Sequence, residues 1–288
     1  MTDWLAWLTD PFGYAFMTRG LIAAVITGAV CAVIGTYVVL RSMALFGHAL
    51  AHAVLPGVAV AYLLGGSNPL ALSFGGLVAG VLTALGIGAV SKSGVKEDTA
   101  TGIIFVSMFA LGIALISTAR SYTNDLTHFL FGDVLGVADS DLWLIAGFGF
   151  VVILTILLFY KEFLVISFDP MLAKTLRLPT ALLDSLLLLL IAVTVVLALQ
   201  VVGVALMSAM LVTPAATAWL LTRRLPIMMG LAALIGALGG TVGLYLSFYV
   251  NVASGPAIVL ICTAFFLLAL LFSPQQGLLL RILRRQST

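Results

Sequence analysis

Runs of about 20 apolar residues, each long enough to cross a bilayer, follow one another along almost the whole chain. All eleven carboxylates, at positions 3, 10, 97, 98, 125, 133, 139, 141, 162, 169 and 184, fall between those runs or at their ends. Backbone N–H and C=O groups find no water in hydrocarbon, so such runs cross as helices that bond internally. The expected fold class is all-α, a polytopic transmembrane bundle. Only 8% of the 288 residues are charged, against about 25% in a soluble domain. Little of the chain is left to fold outside the bilayer.

The predicted spans are Phe16–Leu40, Ala44–Leu64, Pro69–Val90, Thr99–Ala119, Leu142–Tyr160, Ser185–Val202, Val204–Leu221, Pro226–Val250 and Pro256–Phe272. Ser185 to Leu221 is too long for one span and carries no charge to divide it, so Gly203 is the natural break. Pro214, with Thr213 and Thr217, is expected to interrupt the seventh span. Met1–Tyr14 contains Asp3 and Asp10 and lacks a basic leader, so it is not a cleavable signal peptide. Residues 1–15 form an interfacial segment in which Trp4 and Trp7 serve as anchors. Residues 161–184 form a cytoplasmic loop and 274–288 a cytoplasmic tail. Cys31 and Cys262 lie inside apolar runs and act as small hydrophobes.

Orientation follows from Lys and Arg. With Arg281, Arg284 and Arg285 inside, nine spans place eleven of the thirteen basic residues in the cytoplasm and only Arg19 and Arg120 outside. The N-terminus is then outside. The outer loop 120–141 holds Asp125, His128, Asp133, Asp139 and Asp141 and reads as a docking surface for an external partner or a solvated loop, with the lone His128 not expected to be a ligand. The GxxxG pairs Gly76–Gly80, Gly236–Gly240 and Gly239–Gly243 let helices approach closely in lipid.

Two of the three histidines, His48 and His52, lie four residues apart within an apolar run. On a helix that spacing sets both rings on one face, about 6 Å apart along the axis. Ionisable groups at membrane depth tend to mark substrate or ion paths, and imidazole nitrogen is a common ligand for divalent transition metals. The structural alternative is that both rings hydrogen-bond backbone carbonyls and brace the helices. The absences narrow the class. No carboxylate stands at membrane depth to drive a proton- or sodium-coupled carrier. No G-x-x-x-x-G-K-[ST] loop is present, so ATP is not bound by that route. His48-Ala49-Leu50-Ala51-His52 has the spacing of a zinc protease but lacks the glutamate base between the histidines. An intramembrane metal-dependent enzyme, or a carrier or channel working without an ATPase, remains the competing class. The chain is expected not to be an enzyme, and no nucleic acid partner is expected.

In the cytoplasmic loop, Asp169 followed by Pro170 forms an N-cap with proline at the first helical position. Met171, Leu172, Leu176 and Leu178 give the short helix an apolar side, and Pro179 is expected to end it. Such a helix suits the membrane surface or a groove of a partner protein.

The ordered motifs Arg41–Gly47, His52–Gly57, Glu97–Phe105, Phe109–Gly112, Leu130–Gly132, Val202–Gly203 through Pro214–Ala218, Ser254–Gly255 and Phe272–Pro274 resemble one family. It is the membrane permease subunit of bacterial ATP-binding-cassette importers for manganese, zinc or iron. The resemblance covers nearly the whole chain, from about position 21 to position 277. It implies a multi-pass protein of the bacterial cytoplasmic membrane, folded as a single permease domain over residues 1–288 and paired with a second copy of itself. It also implies a cytoplasmic ATPase dimer that uses the ATP, and an extracellular or periplasmic metal-binding protein. No permanently bound cofactor is implied; the divalent ion, Mn²⁺, Zn²⁺ or Fe²⁺, is cargo. His52 falls on the family's metal-path histidine. His48 stands where the family usually has Asp, which moves the ligand set toward ions that favour nitrogen. The segment with Asp169, Pro170, Leu172, Lys174, Leu176 and Arg177 falls on the helix that couples permease to ATPase.

Overall fold

A computed structural model describes residues 9–65, 68–118 and 134–273. Trp4, Trp7, His128 and the tail arginines lie outside the described residues. The described part is helical: α1 Ala15–Leu40, α2 Ala44–Ala53, α3 Leu55–Gly65, α4 Pro69–Lys92, α5 Glu97–Ser117, α6 Asp139–Leu158, α7 Tyr160–Phe168, α8 Pro170–Thr175, α9 Thr180–Leu221, α10 Leu225–Val250 and α11 Ser254–Phe272. A 3-10 turn, Asp10–Gly13, precedes α1. Among the described residues, eight helical stretches are long and apolar enough to cross a membrane, with α2 and α3 counted as one.

Hydroxyls inside these stretches need partners that hydrocarbon does not supply. Thr101, Ser107, Thr155, Thr194, Thr217, Thr241 and Thr263 each donate to the carbonyl four residues back, at 2.7–2.8 Å. The polar side chains are thereby satisfied within their own helices.

The helix ends follow the same rule. α1 closes with Ser42 N–H on the Val39 carbonyl (3.1 Å) and Met43 N–H on the Val38 carbonyl (2.9 Å). That is the Schellman pattern, and its left-handed residue is Ser42 at φ 58° instead of the usual glycine. α9 runs for 42 residues, and its one non-helical residue is Gly203 at φ 76° and ψ 171°. That backbone conformation is open to glycine almost alone, so the break falls where the sequence puts it. Pro214 behaves differently from expectation, because the helix continues through it. A proline removes one bond, to the carbonyl four residues back, and a membrane helix held by its neighbours tolerates that loss. Residues 161–168, expected as loop, belong to α7, with Phe163 and Ile166 buried.

The described residues pack as two compact units: 9–36 with 134–149 and 201–273, and 37–65 and 68–118 with 150–200. In the first unit, small residues let backbones meet. A Cβ on Gly28 would come within 2.7 Å of the Gly236 carbonyl oxygen, and one on Gly236 within 2.5 Å of that of Gly28. Gly240 faces Ala24, whereas Gly239 and Gly243 face Cys262 and Ile258 of α11. The two overlapping GxxxG pairs of α10 thus serve two different neighbours. Arg19 pairs with Asp139 at 3.1 Å on the surface, a contact of small energetic weight.

In the second unit, Gly57 of α3 and Gly75 of α4 meet face to face, each against the other's carbonyl. Gly80 faces Val196 of α9, and Ser73 donates to Gln200 Oε1 at 3.1 Å. The rings of Tyr37 and Phe163 stack edge-on, centroids 5.8 Å apart, in the core of this unit.

Gly236→Val is expected to lower the stability of the permease by about 3 kcal/mol or more, the upper range for overpacking. Thermal unfolding in detergent checks it. Gly230→Val, where a Cβ meets nothing within 4 Å, serves as the control.

Candidate functional site

α2 begins two residues after the left-handed Ser42, with Met43 at its N-cap. It buries Phe46, Gly47, Ala49, Leu50, Ala51 and Ala53. The opposite stripe consists of Leu45, His48 and His52, at positions i, i+3 and i+7 of one face. Leu45 and His48 are exposed and His52 is half-buried. The imidazoles meet edge to face with centroids 5.0 Å apart, so the four-residue spacing does bring them together.

The sequence did not point to the wall behind them. Phe105 and Phe109 of α5 lie 6.1 and 5.6 Å from the His52 ring, centroid to centroid. Their own i, i+4 spacing, within two of the quoted motifs, was the available signal. His52 Nδ1 is buried and has no hydrogen-bond partner among the described residues. A buried polar atom left in that state costs roughly 1–3 kcal/mol. This does not match a ring whose task is to brace a backbone carbonyl through that nitrogen.

The helix is also interrupted here. Val54 separates α2 from α3, and Pro56 follows. Pro56 has no N–H to give the carbonyl four residues back, which is that of His52. The His52 oxygen accepts instead from the Val54 N–H, two residues on. Two imidazoles are fewer ligands than a closed site needs. No group of three or more His, Cys, Asp or Glu is placed to hold a metal among the described residues.

The second set of predicted residues lies in the same unit, on α8. Asp169 Oδ1 accepts from Met171 N–H (3.0 Å) and Leu172 N–H (2.9 Å), and Pro170 takes the first helical position. Arg177, not Pro179, ends the helix. It is left-handed at φ 55°, with its N–H on the Lys174 carbonyl and Leu178 N–H on the Ala173 carbonyl. Ala173 is fully buried and anchors the helix, while Phe168, Met171, Leu172 and Leu176 are exposed, from 46 to 71%. Lys174 and Arg177 stand exposed beside them. A six-residue helix with exposed Met171 and Leu172, flanked by exposed Phe168 before it and Leu176 at its C-cap, has an unburied face of the kind that marks interaction sites.

A bundle of membrane-crossing helices with a paired-imidazole stripe, a broken helix beside it and a capped apolar knob defines a membrane transport subunit. The chain belongs to the ABC 3 transport family, which it matches over residues 13–273. It is 48% identical over 272 residues to the manganese transport system membrane protein MntC of Halalkalibacterium halodurans, covering 94% of this chain and 92% of that one. It is 40% identical to the chelated iron transport system membrane protein YfeD of Yersinia pestis, covering 92% and 88%. Among solved structures, PsaBC from Streptococcus pneumoniae in complex with Fab matches with a TM-score of 0.82 and 39% identity, over 94% of this chain and 97% of that one. The resemblance carried by the sequence motifs therefore holds, and the protein is a multi-pass permease of the bacterial membrane.

Asp169→Ala should loosen α8 by about 1 kcal/mol, the usual worth of an N-cap. Hydrogen exchange is expected to speed up at Met171 and Leu172 while amides in α9 stay protected.

Proposed function

We propose that this chain is the permease subunit of a bacterial ATP-binding-cassette importer whose cargo is a divalent transition metal, manganese or iron, and that His48 and His52 line the metal path. The observation that carries the reading is the imidazole pair on an unburied stripe of α2, with one ring nitrogen buried and unpartnered. The names of the relatives, manganese for one and chelated iron for the other, support those two ions.

In this reading the permease acts as a homodimer with a separate ATPase dimer inside and a metal-binding protein outside. It is one permease domain over residues 1–288, with 1–15 interfacial and 274–288 cytoplasmic. α9 counts as two spans across Gly203, giving nine, with the N-terminus outside and the C-terminus inside. Arg41, Lys92, Lys96, Lys161, Lys174, Arg177, Arg223 and Arg224 then share the cytoplasmic side. The segment 161–184 carries the coupling helix, in which Asp169 and Pro170 set the helix start. Leu172 and Leu176 enter the ATPase groove, and Lys174 and Arg177 flank them.

In the dimer, His48 and His52 of the two copies face each other across the axis. Four imidazoles closing tetrahedrally on one ion would approach the roughly 10–16 kcal/mol of structural zinc sites and release cargo too slowly. The working site instead uses two or three protein ligands, with water completing the shell.

His48→Ala and His52→Ala test the path. Both variants should insert, assemble with the ATPase and keep basal ATP hydrolysis. Uptake of Mn²⁺ or Fe²⁺ should fall by at least about ten-fold, a loss that even outer partners of metal ligands produce. Zn²⁺ should compete in the wild type, because nitrogen sites hold it more tightly than either ion. Wild-type uptake in both variants would make the histidines structural.

Leu172→Asp with Leu176→Asp tests the knob. Co-purification with the ATPase should be lost while membrane insertion is intact. Unchanged co-purification would send the coupling role elsewhere.

A further inference from the structure

Arg41 stands where three segments meet. It is the last residue before the left-handed Ser42, and α2 with its two histidines starts at Ala44. Its guanidinium donates through Nη2 to Asp184 Oδ1 at 2.7 Å, near the start of α9. Through Nε it donates to Ser167 Oγ at 3.3 Å, two residues before the Asp169 cap of α8. The Arg41 side chain is 13% exposed and that of Asp184 40%. A charge-assisted pair of this length, partly shielded from water, is among the stronger polar contacts available to a protein.

A second carboxylate faces the same space. Arg41, Ser167 and Asp184 line a cavity of ≈ 510 Å³, together with Glu97, Lys92 and Lys174. Lys92 is engaged elsewhere, donating to the Ala181 carbonyl and to Ser185 Oγ. Glu97 is half-buried, and the charges of Arg41 and Asp184 both act on it. Yet the ion pairs among the described residues are Arg19–Asp139 and Arg41–Asp184, so Glu97 forms none. Glu97 is also the first residue of α5, the helix whose Phe105 and Phe109 pack on the His52 ring. At 1.5 Å per residue those rings lie about 12 and 18 Å up the same rod.

We propose that Arg41 is the positioning residue that links the ATPase-facing helix to the metal path, by exchanging Asp184 for Glu97 as its carboxylate partner during the transport cycle. The inference rests on the reading of α8 as the coupling helix and of His48 and His52 as the path. Movement of α8 shifts Ser167, which is two residues from its cap, and loosens the hold on Arg41. The guanidinium gives up one charge-assisted bond and makes another across the cavity, so the two arrangements stay close in free energy. Pairing with Glu97 draws α5 along its axis and slides the phenyl wall past His52. Coupling of this kind needs an element with two discrete arrangements that both ends bias; one arginine between two carboxylates supplies it.

Glu97→Gln separates the exchange from mere support, because it leaves the Arg41–Asp184 pair and the shape of the cavity intact. In proteoliposomes holding the permease with its ATPase, the variant should move about ten-fold less metal per ATP hydrolysed, with assembly and basal hydrolysis within about two-fold of wild type. Wild-type coupling in Glu97→Gln overturns the exchange. The double variant Arg41→Asp with Asp184→Arg restores an ion pair in reverse. Its melting temperature should recover relative to Arg41→Asp while coupling stays low, since the acidic group at position 41 now repels Glu97. Recovery of both would leave the pair a structural brace. Cysteines replacing Ser42 and Ser185, which line the same cavity, give a readout independent of cargo. Their cross-linking should fall when nucleotide is trapped on the ATPase with vanadate, and should not change in the Glu97→Gln background. A response to nucleotide without any metal uptake supports the exchange and rejects the cargo reading. Metal uptake with no response rejects the exchange alone.

Discussion

Hydrocarbon leaves a backbone N–H or C=O no partner except another part of the protein, and the described architecture follows from that. Thr101, Ser107, Thr155, Thr194, Thr217, Thr241 and Thr263 bond back to their own helices. α1 and α8 end with their last carbonyls tied down by the two amides that follow, at the expense of a left-handed Ser42 and Arg177. Where the ladder is interrupted inside an apolar run, the interruption is local and has an identifiable residue: Gly203 in α9, and Val54 to Pro56 between α2 and α3. The second interruption is the one that touches the histidine stripe. Among the described residues the buried atoms without a partner are the hydroxyls of Thr27, Tyr37 and Thr83 and the Nδ1 of His52, and of these only the last is a ring nitrogen that can ligate a metal.

Association between helices in lipid gains little from burying apolar surface, so close contact has to come from shape. The Gly28–Gly236 and Gly57–Gly75 contacts show this, with backbone against backbone in each unit. α10 carries the idea furthest, presenting Gly236 and Gly240 to α1 and Gly239 and Gly243 to α11. A side chain at Gly236 or Gly243 would meet the neighbour's backbone itself, within 2.5 Å.

The spans were legible because run length and the exclusion of charge are properties of the sequence alone. Gly203 was legible for the same reason, as an uncharged run twice the needed length has to break where one residue type fits. α7 was not, because Lys161 and Glu162 at its start read as loop, and only the burial of Phe163 and Ile166 makes it a helix. Pro214 misled because the penalty for a proline depends on neighbours the sequence does not show. At the site, the pairing of His48 and His52 is local geometry and could be read from spacing. The phenyl wall and the grip of Arg41 on Ser167 and Asp184 join residues more than 50 and more than 120 positions apart. Such contacts come from packing.

α8 is closed at both ends, by the Asp169 side chain in front and the left-handed Arg177 behind, and pinned by buried Ala173. A free peptide of six residues would be almost wholly unwound in water. Here the segment keeps one shape before anything touches it. Binding to a segment already held in this way would cost little backbone ordering. A stiff handle also passes on displacement without absorbing it, which a flexible loop of the same length and composition cannot do.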